Sequence, residues 1–254
     1  MSNNLFVVRC SLFVGVVVSI KASGVFGRSA IQNPRTTNHE QRTTNKVPMK
    51  GNLIIISSPS GGGKGTLIRE VLENVPHVGY SISHTTRPPR DGEDDGKHYN
   101  FVSKEEFEAY RDKGGFLEYA EVHGNYYGTS FQQTESIIAS GKDVILEIDV
   151  QGAATVMEKM PEAVSIFIMP PSYDVLRARL TARATEGMED LELRLKNSLA
   201  EVMQFSSFGY VVVNDEISAA SNTLASIILA ERQRPYRQGE FIHGILGSFE
   251  RAKL

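Results

Sequence analysis

The chain has 254 residues, 41% of them hydrophobic and 22% charged, with a net charge of −3. That balance excludes collagen-like, disulfide-scaffold and intrinsically disordered classes and fits one sizeable core with an inserted lobe. Without a global basic field no nucleic acid partner is expected, and any anion site must be local.

The single cysteine, Cys10, rules out an intramolecular disulfide and a Cys/His zinc cluster, and its solitary use fits a reducing cytoplasm. The first 48 residues read differently from the rest. Leu5 to Ile20 is mostly apolar but carries Arg9, and it is shorter than the ~20 residues that span a bilayer. It also lacks the leading positive charge of a signal peptide, so no membrane association is expected of the mature domain. Residues 28–48 are polar and aperiodic, as linkers are. Met49 is therefore expected to be the true start, with 1–48 a poorly structured extension; a signal-anchor or an organellar targeting segment are the alternatives.

From there the chain alternates strands and helices. Leu53–Ile56 suits a strand buried on both faces, and Thr66 to Asn74 has helical spacing. Ser103 and Glu106 form a capping box, and Thr129 to Gln132 offers a second helix start of the same kind. Val144–Ile148, Val164–Met169 and Tyr210–Val213 are further strands, with helical stretches at 152–159, 172–184, 190–205 and 216–233. This order predicts an α/β fold: a parallel sheet covered by helices, its ligand crevice at the carboxyl ends of the strands. The segment from about 80 to 130 is richer in glycine, charge and tyrosine and is expected to form a smaller lobe.

Residues 57–66 read SSPSGGGKGT directly after the first strand. A strand, a glycine-rich turn and a helix start make a phosphate loop, because successive N–H groups and the helix N-terminus converge on an anion while lysine neutralises the β- and γ-phosphates. The pattern G-x-x-x-x-G-K-[ST] is met at Gly63-Lys64, with Ser58 at the first glycine position and Gly65 at the position of the magnesium-binding hydroxyl. Magnesium is then left to be held through water or by Thr66.

A second candidate anion site lies in YSISHTTRPPRDGEDDGKHYNF, residues 80–101. Arg87 and Arg90 flank a diproline that stiffens the loop, and rigid arginine pairs suit phosphate. Tyr99 and Tyr127 carry hydroxyls that can serve the same anion.

SISHTTRPPRDGEDDGKHYNFVS, FLEYAEVHGNYYGT and VILEIDVQGA, in that order after a loop ending GKGT, resemble the bacterial guanylate kinases. The resemblance runs from about Gly51 to the 230s. It implies a P-loop nucleoside monophosphate kinase fold with a five-stranded parallel core (49–80 and 142–254), a GMP-binding lobe (about 81–141) and a short lid (about 179–194). It also implies the transfer of the γ-phosphoryl group of ATP to GMP and dGMP with Mg2+, giving ADP and the nucleoside diphosphate.

Matched by motif, the ATP-binding loop is Ser58, Pro59, Ser60, Gly61, Gly62, Gly63, Lys64, Gly65 and Thr66, and GMP falls to Ser83, Arg87, Arg90, Tyr99, Glu118, Tyr127, Thr129 and Glu147. Guanine offers N1–H and the N2 amine as adjacent donors, which one carboxylate can accept together; adenine would meet Glu118 with a lone pair. Alternation in FLEYAE places Phe116, Glu118 and Ala120 on one face. Arg179 and Arg183, four apart on one helix, and Arg194 beyond a short loop resemble the family's lid arginines, which with Lys64 and Arg87 form the expected catalytic set. Asp149 stands where a carboxylate orients magnesium directly or through water, and Asn214-Asp215 resembles the segment lining the adenine pocket. Two other readings are a non-catalytic guanylate-kinase-like binding module, which tends to lose the P-loop, and a kinase of the same fold with another phosphorylated acceptor, against which Glu118 argues.

Overall fold

The computed structural model describes residues 50–122, 124–183 and 188–252. The expectations for residues 1–48 and for Met49 lie outside the described residues, as does 184–187 in the expected lid. In chain order the strands are β1 (Leu53–Ser57), β2 (Val78–Tyr80), β3 (His84–Thr85), β4 (Asn100–Phe101), β5 (Phe116–Val122), β6 (Asn125–Ser130), β7 (Asp143–Glu147), β8 (Val164–Met169) and β9 (Tyr210–Val213). The helices are α1 (Lys64–Asn74), α2 (Lys104–Asp112), α3 (Phe131–Ala139), α4 (Val150–Lys159), α5 (Tyr173–Arg183), α6 (Met188–Val202), α7 (Ile217–Glu231) and α8 (Gly239–Arg251).

The main sheet has the order β2-β7-β1-β8-β9, and all its pairings are parallel. Its central strand, β1, is buried along its whole length, which is why it reads as a continuous apolar run and not as an alternating one. Successive residues still point to opposite faces. Ile54 and Ile56 pack with Leu67 and Val71 of α1 and Leu224 and Ile228 of α7, while Leu53 and Ile55 pack with Ala153 and Val156 of α4.

At the amino-terminal edge of this sheet, Asp143 is buried and doubly engaged: Asn52 N–H donates to Oδ1 at 2.7 Å and Arg232 Nε to Oδ2 at 2.6 Å. Arg232 also donates to the Pro76 carbonyl at 2.8 Å, so one ion pair ties β7, β1 and the end of α7 together.

A second, mixed sheet has the order β4-β3-β6-β5 and is built from strands between His84 and Ser130. Its own small core is aromatic: Phe107 of α2 stacks on Phe116 at 4.4 Å and on Tyr126 at 5.3 Å. The capping box of α2 is present, with Ser103 and Glu106 side chains each accepting from the other's backbone N–H.

Several sequence expectations need correction. α1 starts at Lys64 and not Thr66, because Gly63 in a left-handed conformation supplies the cap. α3 is capped by Ser130, whose Oγ accepts from Gln133 N–H, because the Thr129 hydroxyl is committed elsewhere. α6 ends at Val202 and a 3-10 turn covers Met203–Ser207. Phe116 does not share a face with Glu118: the β5–β6 register shifts between them, and the bulge sends Phe116 into the aromatic core while Glu118 stays with Ala120 and Val122. β2 and α8, too short or too distant from any motif to be singled out, complete the fold. No helix among the described residues is long and apolar enough to cross a membrane.

Candidate active site

The end of β1 delivers the chain into the glycine-rich turn, and α1 begins at Lys64. Gly63 has φ 85°, a value that strains any residue with a Cβ, and a Cβ there would collide with Asn214 Nδ2. That amide has its own task, donating to the Gly62 carbonyl at 2.9 Å. Arg179 Nη2 reaches the Asn214 carbonyl at 3.0 Å, which places a guanidinium beside the loop. Ser60 is gripped from the other side by α6, with its N–H donating to Glu201 Oε2 at 2.9 Å and its carbonyl accepting from Ser198 Oγ at 3.3 Å. The loop is thus held by α6, Asn214 and Arg179, which leaves its inner face shaped for an anion.

Three clefts meet around this loop. One, of about 400 Å³, is lined by residues 58–66 with Arg69 and Glu147. A second, of about 270 Å³, gathers Ser83, Tyr99, Glu118, Tyr127 and Glu147, together with Lys64 and Asp149. A third, of about 410 Å³, brings Arg194 of α6 opposite Lys64 and Asp149. Lys64 lines all three.

In the second cleft Glu118 is 6% exposed, and its Oε1 accepts from Thr129 Oγ1 at 2.6 Å. Burial, the largest influence, pushes its carboxyl up to about 7 against the pull of the Thr129 hydrogen bond, with help from the charge of Asp149. Tyr80 hydroxyl donates to Glu147 Oε2 at 3.2 Å, and burial followed by that carboxylate raises the phenol well above its ordinary range. Asp149 caps α4, its Oδ1 accepting from Gly152 N–H at 2.7 Å.

The arginines are distributed differently from the expectation of a matched pair. Arg87 is largely buried, its Nη2 held by Glu93 Oε1 at 2.9 Å and its guanidinium 5.5 Å from the Tyr99 ring. Arg90 is exposed, and it is its backbone N–H that donates to Glu93 Oε2, at 2.8 Å. One carboxylate therefore spans the loop and orients only Arg87 toward the tyrosines. Arg179 lies against the Asn214 carbonyl after β9 and the Gly62 carbonyl of the P-loop and lines none of the three clefts. Arg183 ends α5, and its side chain lies outside the described residues.

The profile of the guanylate kinase family matches residues 50–231. The chain belongs to the guanylate kinase family. It is 52% identical over 197 residues to guanylate kinase of Neisseria meningitidis serogroup A, covering 78% of this chain and 96% of that protein. Guanylate kinase of Desulfitobacterium hafniense is 48% identical over 195 residues, covering 77% and 98%. The crystal structure of guanylate kinase from Anaplasma phagocytophilum superposes with a TM-score of 0.63 at 36% identity, over 74% of this chain and 90% of that one.

Membership of the guanylate kinase family gives the clefts a common logic, and it throws into relief residues that sequence reasoning missed. Glu93, which holds Arg87 and the Arg90 backbone, is not among the site residues read from the sequence. Tyr80 opens the 80–101 stretch but is given no role there, Ser198 and Glu201 belong to no motif, and only folding brings them to Glu147 and to the P-loop. Ser198, which donates to Ser60, and Glu201, which accepts from it, lie one and two turns beyond Arg194, on the same helix face, a spacing that the sequence does contain.

Proposed function

We propose that this guanylate kinase transfers the γ-phosphoryl group of ATP to GMP and dGMP, giving ADP and the corresponding diphosphate. The observation that carries the reading is the position of Lys64, which faces the P-loop cleft, the Glu118 cleft and the Arg194 cleft at once. Two nucleotides laid in the first two clefts would have their phosphates meet at its ammonium group.

ATP would lie with its phosphates in the turn of residues 58–66. GMP would present N1–H and the N2 amine to Glu118, with Thr129 fixing that carboxylate, while Ser83, Tyr99, Tyr127, Glu147 and Arg87 line the path to its phosphate, and Arg90 joins them by a side-chain movement. A phosphate oxygen of GMP attacks the γ-phosphorus as the bond to the β–γ bridging oxygen breaks, and the electron pair leaves on ADP. Lys64, Arg87 and Arg194, with Arg179 and Arg183 arriving from the lid, supply cations where charge spreads over the transferred group. Lid closure excludes the water that would otherwise hydrolyse ATP. We assign the core to 49–80 and 142–254, the GMP lobe to about 81–141 and the lid to about 179–194.

The donor set suits a hard divalent cation, and we take it to be Mg2+. Gly65 offers no hydroxyl, but a Cβ there would stand 3.7 Å from Glu147 Oε1, so carboxylate oxygen faces the place where the usual ligand is missing. Among the described residues no three His, Cys, Asp or Glu side chains cluster as a metal site, which accords with an ion held chiefly by phosphates and water. Asp149 and Thr66 would orient those waters, and the ion would neutralise the β- and γ-phosphates. The chemistry of the substrates and the lone cysteine favour a cytoplasmic location.

An ADP-release assay on the protein starting at Met49, run across GMP, dGMP, AMP, UMP and TMP, tests the reading. Turnover with GMP and dGMP and almost none with the others is expected; comparable rates with AMP would overturn it.

A further inference from the structure

Gly152 sits in the first turn of α4, buried, with an ordinary right-handed backbone. Glycine at such a position is normally a cost, since it gives up about 1 kcal/mol of helix propensity relative to alanine, and no left-handed φ requires it. The surroundings supply the reason. A Cβ on Gly152 would stand 2.8 Å from Glu118 Oε2, 3.3 Å from Glu118 Cδ and 3.3 Å from Asp149 Oδ1. The first distance is shorter than real Cβ atoms tolerate, while the backbone N–H of the same residue holds Asp149 Oδ1 at 2.7 Å.

We propose that Gly152 is a positioning residue for guanine recognition: its missing side chain lets the Glu118 carboxylate lie against the start of α4, where Oε2 can accept from the purine. Glu118 is pinned at Oε1 by Thr129 across the β5–β6 pairing. Its second oxygen is therefore located by that hydrogen bond on one side and by the bare Cα of Gly152 on the other. A methyl group at 152 would be absorbed by the flexible end of Glu118, turning Oε2 away from the N1–H and N2 donors and leaving the helix intact. The inference rests on the reading of Glu118 as the acceptor for guanine.

The test is Gly152→Ala, read by melting temperature and by steady-state kinetics with GMP, IMP and ATP. IMP keeps N1–H but lacks the 2-amino group, so the GMP-to-IMP ratio of kcat/KM reports the carboxylate's position, which a merely structural role would not move. We expect an unchanged or raised melting temperature, a KM for GMP higher by about tenfold or more, a KM for ATP within about twofold, and a shrunken GMP-to-IMP ratio. A folded Gly152→Ala protein with wild-type KM for GMP and an unchanged ratio would overturn the proposal. Should that variant fail to fold, Glu118→Ala with Gly152→Ala decides: folding of the double variant supports collision with Glu118, and its failure overturns it. Glu118→Gln runs alongside as a control. If that substitution leaves GMP selectivity untouched, it is the reading of Glu118 that fails; if it abolishes selectivity while Gly152→Ala does nothing, the role of Gly152 alone falls.

Discussion

Thr129 Oγ1 donates to Glu118 Oε1 at 2.6 Å from the neighbouring strand, in a pairing of β5 and β6 made possible by the bulge after Phe116. The hydroxyl that would have capped α3 instead orients Glu118, the buried carboxylate that we propose accepts from guanine. Replacing Glu118 by glutamine puts an amide donor opposite the purine's own donors. The KM for GMP should rise by roughly 30-fold or more while the KM for ATP stays put, as initial rates with each nucleotide varied in turn will show. Unchanged affinity for GMP would remove Glu118 from the site.

The same carboxyl makes stability and binding respond oppositely to pH. Its folded value of about 7 lies above the ordinary carboxyl value of 4.5, so the folded state holds a proton that the unfolded chain has released between those two values. Folding is thus favoured most below about 4.5 and loses support as pH rises through about 7, by about 3 kcal/mol for a shift of this size. Urea unfolding at pH 4.5 and pH 8 should show most of this loss, with only about 1.3 kcal/mol of it between pH 6 and pH 8, and Glu118→Gln should lack it. GMP binding gains from the ionised form, so its KM should fall over that range by more in the wild type than in Glu118→Gln, a comparison that cancels titration of the nucleotide's own phosphate.

Lys64 stands at the junction of the clefts and Glu118 lines only one of them. Lys64→Ala is expected to lower kcat by roughly 10³-fold and to leave the calorimetric Kd for GMP within about threefold. A near-normal rate would show that the ammonium group does not serve the transferred phosphate.

Glu201 and Ser198 hold Ser60 from the helix that carries Arg194. Glu201→Ala frees that connection, and the loss of one charge-assisted hydrogen bond at a site that aims a cation should reduce kcat by about three- to tenfold with the KM for GMP unchanged. A variant whose KM for GMP rises instead would place Glu201 in the acceptor site.

Asp143 lies far from the chemistry and carries a buried ion pair with Arg232. Asp143→Ala takes away the guanidinium's carboxylate partner and leaves its charge facing only the neutral Pro76 and His77 carbonyls, at a cost of about 3–5 kcal/mol. Chemical denaturation should register that loss in full, whereas the KM values for both nucleotides should hold at a temperature where the variant is folded.

Much of this architecture was legible in the chain. The continuous apolar runs at Leu53–Ile56, Val144–Ile148 and Val164–Met169 could only be strands covered on both faces, and the glycines between Ser60 and Lys64 could only serve a close backbone turn before a helix. The misreadings share one origin. Alternation placed Phe116 beside Glu118, and cap chemistry assigned Thr129 to α3, because both rules treat a segment by itself; a bulge and a cross-strand partner override them.

The sequence by itself determined the parallel sheet, the phosphate loop and the residue types around it, since those follow from periodicity, turn chemistry and motif order within short stretches. Only the tertiary structure decided which oxygens and nitrogens face one another: Glu201 on Ser60, Asn214 on Gly62, Glu93 on Arg87, and the bare Cα of Gly152 against Glu118. These partners are separated by up to 152 residues, and local pattern carries no information about contacts whose geometry is set by strand register and helix packing.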